Sequence, residues 1–297
     1  MGKIPVGKTI AYAYSFAFGN ILNILGVAWF PFVIIGVGGY FLLMPYLAAV
    51  QQFLTTQDIS SLGSTFLLLP VFVILCVVCM SMVTVEVMRE ALGMDPGRKF
   101  FYFSLDKPVW RLIGAYLLLI LLLIGLGIVA AIALGILAWL AAMADANLAL
   151  LVSGVGTVVV VLGMILIAVR LVFLMPAVVV AENHVSLKRG YHLTYGNFWR
   201  IVGVVLAIVI PIALVQSVIQ MMVFGSDFMA ASIMPSDSPE EMAAKLQVLQ
   251  TQLSHGLIYM VPVWLIVSIV NLGLSSGAGA FAYRALTGSQ GSATPKS

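Results

Sequence analysis

Apolar residues run along this chain in blocks of about 20 or more, and blocks of that length predict helices that cross a bilayer. They fall near Leu22–Ala49, Ser64–Val85, Leu112–Met143, Asn147–Ala181, Ile201–Phe224 and Ile258–Ala282. The pattern predicts an all-α polytopic membrane protein with six transmembrane helices. The fourth block runs about 35 residues, some 50 Å at 1.5 Å per residue, longer than a hydrocarbon core of about 30 Å. It must tilt, kink or continue past the membrane, and Pro176 is the expected kink.

The blocks belong to a repeat. Tyr14, Gly19, Asn20, Ile24, Gly26 and Val27 recur as Tyr191, Gly196, Asn197, Ile201, Gly203 and Val204, at an offset of 177 residues. Tyr102, Trp110, Arg111 and Gly114 fall 89 residues before Tyr191, Trp199, Arg200 and Gly203. One unit laid down three times, near 8–95, 96–184 and 185–288, accounts for both offsets within a single transmembrane domain 1–288. The small, polar residues 289–297 read as a disordered tail. Each unit opens with a segment rich in aromatic and basic residues, as in Val185–Arg200, which suits a helix lying at the lipid headgroups. Gly196-Asn197, and Gly19-Asn20 in the first copy, then supply a left-handed bend into the span, where the second copy has Lys107-Pro108. Arg89-Glu90-Ala91-Leu92-Gly93 near the end of the first unit matches Arg284-Ala285-Leu286-Thr287-Gly288 at the end of the third. Ser238-Pro239-Glu240-Glu241 carries a helix start, and Met242, Leu246, Leu249 and Leu253 mark one apolar face of a helix expected at the outer mouth of the bundle, as a packing cap or a lid.

Composition fixes the class. With 62% hydrophobic and 8% charged residues and a mean hydropathy of +1.14, the chain departs from soluble domains, which carry about 25% charge. Twelve of the 14 Lys and Arg fall at the ends and connections on one side, while Asp58, Asp145, Asp227, Asp237, Glu240 and Glu241 fall on the other. The positive-inside rule therefore predicts cytoplasmic N- and C-termini, which six crossings satisfy. Met1–Pro5 leads into no short apolar core with a cleavage site, so the first span is expected to be its own insertion signal. Cys76 and Cys79 sit in apolar helix and read as small filler.

Arg170 is the first candidate for function, because an arginine at span depth costs at least about 2.5 kcal/mol and needs a partner. Glu86 could pair with it, or the guanidinium could face a lipid phosphate or another anion. Lys188, Arg189, Arg200 and Trp199 join Arg170 and Glu86 in the expected anion or lipid-headgroup site. Gln216, Gln220 and Asn271 are candidates for polar contacts between spans. Gly273-x-x-x-Gly277 permits close helix approach, and Gly36, Gly38, Gly39, Gly125 and Gly127 are hinges or packing notches. Glu182, His184 and His192 lie near each other, but their spacing favours capping over metal binding. No metal or cofactor is expected. Without a nucleophile set or phosphate loop, the chain reads as non-enzymatic.

Arg170-Leu-Val-Phe-Leu-Met-Pro176-Ala-Val-Val-Val-Ala-Glu182, followed by Leu193-Thr194-Tyr195-Gly196-Asn197-Phe198-Trp199-Arg200, resembles a bacterial multi-span family related to the membrane domain of glycerophosphodiester phosphodiesterases. Members that carry the phosphodiesterase hold it in a separate soluble barrel, so the resemblance transfers no catalytic residue. It implies an inner-membrane protein with a role in envelope or lipid maintenance. The expected partners are membrane phospholipids, with no nucleic acid. A small-solute transporter or channel, using Arg170, Gln216, Gln220 and Asn271 around a central cavity, is the alternative. An intramembrane lipid enzyme is a third reading and lacks a visible nucleophile.

Overall fold

A computed structural model describes residues 2–56, 58, 60–63, 65–94, 101–224 and 238–288. Among them all regular structure is helical: α1 (Val6–Gly19), α2 (Ile21–Gly38), a π-helical turn (Gly39–Leu43), α3 (Met44–Thr56), α4 (Ser60–Gly63), α5 (Leu68–Ala91), α6 (Lys107–Ala142), α7 (Ala146–Val172), α8 (Met175–Glu182), α9 (Leu187–Thr194), α10 (Phe198–Phe224) and α11 (Pro239–Thr287). Six stretches are long and apolar enough to cross a membrane: Ile21–Thr56, Leu68–Ala91, Lys107–Ala142, Ala146–Glu182, Phe198–Met222 and Val263–Thr287. The protein is an all-α integral membrane protein.

The fourth span breaks where the sequence predicts. α7 ends at Val172, and α8 restarts at Met175 with Pro176 in its first turn, since proline has no N–H for the carbonyl four residues back and its ring crowds that carbonyl. The first span is instead interrupted by the π-helical turn at Gly39–Leu43. Gly38 beside it is a packing notch: a Cβ there would run into the end of the Leu75 side chain on α5. Of the other glycines, Gly127 faces Met164, whereas Gly36 and Gly125 look onto open space.

The expected outer helix and sixth span are one rod. α11 runs 49 residues without interruption, about 74 Å at 1.5 Å per residue. It starts at the predicted serine: Glu241 N–H donates to Ser238 Oγ at 3.2 Å and Ser238 N–H donates to Glu241 Oε2 at 2.9 Å. The side chains of Leu246, Leu249 and Leu253 lie outside the described residues, as do residues 96–100 and the tail 289–297.

α1 departs from the surface-helix expectation. Its face of Thr9, Ala13, Phe16 and Ala17 is buried. It runs antiparallel along α11, with Gly277 against Ala13 and Phe16 and Gly273 against Ala17 and Ile24. Two small residues four apart on each helix remove the side-chain bulk that would hold the backbones apart, so dispersion contacts form along their length. Beyond Ile24 the pairing continues through α2, whose Phe32 ring meets Trp264 edge-on at 5.0 Å.

The openings of the three expected units therefore differ. In the third copy α9 lies before the bend and Gly196 takes the predicted left-handed backbone at φ 76°. In the first, Asn20 turns the chain at φ −114°, ψ 18°, with no left-handed residue. In the second, residues 101–106 are not helical and Asp106 stands at the N-terminus of α6. The ends are more alike: α5, α8 and α11 run into left-handed residues at Gly93, Asn183 and Gly288.

Packing is tightest at the end bearing Gly2, Gly288 and most of the described cations. Ile4, Ala13, Ile24, Val85, Met88, Leu112, Leu174, Val178 and Ile201 are buried there. The α6–α7 hairpin leaves this core as it runs outward. Only 6% of an 18-residue apolar stretch of α6 is buried, against 56% of the corresponding stretch of the sixth span. The hairpin's flanks are thus left uncovered by the rest of the described chain.

Candidate functional site

Arg170 stands in the last turn of α7, opposite α9. Its Nε donates to Thr194 Oγ1 at 3.1 Å, and its Cζ lies 4.0 Å from the centroid of the Tyr191 ring and 5.6 Å from that of Tyr195. Thr194, fully buried, turns its hydroxyl proton toward the carbonyls of Gly190 and Tyr191, leaving a lone pair for the arginine. The stacked ring and the threonine fix the guanidinium plane, as cation–π and hydrogen-bond geometry require. Its two terminal nitrogens have no acceptor among the described residues.

That open fork looks into a cleft of about 630 Å³ between α6, α7, α9 and α10. Leu122, Leu166, Ile167, Leu171, Leu187 and Phe198 make its apolar walls, and Lys188 supplies a second cation at the rim. α9 is placed for this by its cap, in which Arg189 N–H donates to Ser186 Oγ at 3.1 Å. Two cations above hydrocarbon walls match an amphiphile with a negative head.

The other expected members lie elsewhere. The Arg170–Glu86 ion pair does not form. Glu86, 4% exposed, pairs with Arg89 at 3.4 Å, and Arg89 also reaches Asp106 at 3.3 Å. An i,i+3 neighbour on the same helix is held in place by the backbone, whereas Arg170 faces the opposite element, α9. Beside Glu86, the Tyr102 phenol is pushed up to about 12 by burial and then by the carboxylate. Arg189 binds Glu182 at 3.0 Å, and Glu182 also accepts the Tyr283 hydroxyl at 3.0 Å. That accounts for Glu182, and His184 and His192 are exposed.

Arg200 does not line the cleft and instead meets the start of the chain. Its Nη1 donates to Ile4 O at 3.0 Å, while Ile4 N–H donates to Asn197 Oδ1 at 3.0 Å and Asn197 Nδ2 donates to Gly2 O at 3.2 Å. The start of α10 thereby clamps the backbone of residues 2–4. Trp199 is 79% exposed, the disposition of an interfacial anchor.

On the opposite face of α7 lies a second cleft, of about 500 Å³, bordered by α5, α6, α8, α10 and α11. Asn271 opens into it, with Ser268, Ser275 and Ser276. Gln216 and Gln220 do not line it. They sit further along α10, half-buried, with no hydrogen-bond partner among the described residues. Arg170 faces the other cleft, so the four polar residues of the transporter reading do not share one cavity.

Sequence reading missed Thr194, the tyrosine stack and the Asn197 clamp, because each depends on which helices meet. The face of Ser268, Asn271 and Ser275, at helical spacings of three and four, was visible in the sequence and went unread. Comparison with protein-family models, with curated proteins and with solved structures finds no match.

Proposed function

We propose that this integral membrane protein binds an anionic phospholipid, with the headgroup on Arg170 and Lys188 and an acyl chain along Leu122, Leu166 and Ile167. The observation that carries the reading is the oriented guanidinium whose two terminal nitrogens point away from protein acceptors, at the mouth of an apolar-walled cleft. A fork of that geometry fits two phosphate oxygens, and cations at the membrane surface attract anionic headgroups. The placement of the cations supports an inner-membrane location with both termini cytoplasmic. The resemblance to the multi-span family supports a part in envelope or lipid maintenance, and the alike helix ends at Gly93, Asn183 and Gly288 support the triplicated unit. The role is binding, and no residue is assigned a catalytic task.

Native mass spectrometry of the detergent-solubilised protein titrated with phosphatidylglycerol tests this. Losing hydrogen bonds to a charged group, worth about 1.5–3 kcal/mol, lowers affinity roughly tenfold or more. Arg170→Ala is expected to weaken binding by that factor, and Arg189→Ala, which removes the Glu182 pair, to leave it near the parent value. Phosphatidylcholine, with no net charge, is expected to bind both proteins weakly. Equal phosphatidylglycerol binding by the parent protein and Arg170→Ala would refute the assignment.

A further inference from the structure

α7 is a wall between two clefts of different chemistry. Leu166, Ile167, Arg170 and Leu171 face the cationic one, whereas Ala168, Val169, Val172 and Phe173 face the other. Among the described residues, no Asp, Glu, Lys or Arg lines the second cleft. Its polar groups are Ser268, Asn271, Ser275 and Ser276 of α11, Thr84 of α5 and Tyr116 of α6.

Two of these are satisfied locally: Ser275 donates to Leu272 O at 3.1 Å and Thr84 to Met80 O at 2.7 Å. The carboxamide of Asn271 and the hydroxyls of Ser268 and Tyr116 have no hydrogen-bond partner among the described residues. Phe173 O packs on Gly279, so Asn271, eight residues earlier on α11, lies about 12 Å further into the span. An amide left unpaired at that depth costs several kcal/mol, so the site calls for a partner brought by a ligand. A charged ligand would find no counter-ion in the cleft and would lose its hydration on entering. The remaining walls, including Met80, Met88, Val172 and Phe173, are apolar.

We propose that this cleft binds an uncharged lipid whose polar end carries hydroxyl and ester groups, as a diacylglycerol does. Asn271 donates to and accepts from that head, Ser268 and Tyr116 complete its hydrogen bonds, and the chains lie in the bilayer beside the α6–α7 hairpin. The site is independent of the phosphate site on the other face of α7.

The full-length protein in phosphatidylcholine nanodiscs is illuminated with a diacylglycerol carrying a diazirine near its glycerol, and in parallel with a phosphatidic acid bearing the same chains and diazirine. Diacylglycerol cross-links are expected on the peptides holding residues 268–276 and 168–173. Asn271→Leu is expected to lower that yield roughly threefold to tenfold, the range for one hydrogen bond within a membrane. Asn271→Asp, which keeps the shape and adds a charge, is expected to lower it as well, and Arg170→Ala to leave it unchanged. Any of three results overturns the proposal: parental yield in both Asn271 variants, phosphatidic acid labelling these peptides as strongly, or diacylglycerol labelling confined to other peptides.

Discussion

The contact between α1 and α11 makes a quantitative prediction. A Cβ added at Gly277 would stand 3.1 Å from both Ala13 Cα and Phe16 Cδ1, where carbon atoms prefer about 3.5–4.0 Å. Because one obstacle is backbone, relief requires the helices to separate by a few tenths of an ångström along the row. Overpacking of this kind costs about 1–3 kcal/mol. Alanine also gains about 0.8–1.0 kcal/mol over glycine in helix propensity, so the net loss in Gly277→Ala is about 0–2 kcal/mol. Gly125→Ala is the control, since a Cβ there meets nothing within 4 Å; it carries the propensity gain alone. The difference between the two variants isolates the steric cost at about 1–3 kcal/mol. Thermal unfolding in micelles, followed by tryptophan fluorescence, should place Gly277→Ala several degrees below Gly125→Ala. Adding Gly273→Ala to Gly277→Ala should cost less than the sum of the single changes, because the first already moves the helices apart. Equal midpoints for Gly277→Ala and Gly125→Ala would show that the close approach of α1 to α11 does not stabilise the fold.

Asn197→Ala removes the acceptor of the buried Ile4 N–H and the donor to Gly2 O; the orphaned amide should cost about 1–3 kcal/mol, and hydrogen exchange should show residues 2–9 released. Tyr102, ordinarily ionising near 10, is held neutral up to about 12 in the folded protein. The unfolded chain ionises first, so stability is at its full value below pH about 10 and falls from there as pH rises to about 12; the phenolate absorbance difference between the protein and Tyr102→Phe checks the shift. Ser238→Ala removes one half of the capping box, and amide exchange at Glu241 should quicken by the equivalent of about 0.5–2 kcal/mol with no change in the global midpoint.

The six crossings, the break ahead of Pro176, the start of α11 at Ser238 and the one-sidedness of the cations were all legible in the chain. Each follows from local physics: apolar length, the missing N–H of proline, the capping hydroxyl, the cost of moving a charge through lipid. Arg170 stood out for the same reason, since a lone cation among apolar residues needs no fold to be conspicuous. Its partners were another matter. Nothing in the spacing decides that Glu86 turns to Arg89 on its own helix, or that Thr194 and Tyr191 hold the guanidinium. Arg200, read as a headgroup ligand, anchors the backbone of Ile4, and α1, amphipathic and basic enough for a surface helix, is drawn against α11 by two pairs of small residues. In a bilayer the apolar pattern states that a helix is inside but not which face meets which neighbour, because lipid and protein are about equally apolar. Close packing and a few hydrogen bonds make that choice, and they exist only once the helices are assembled.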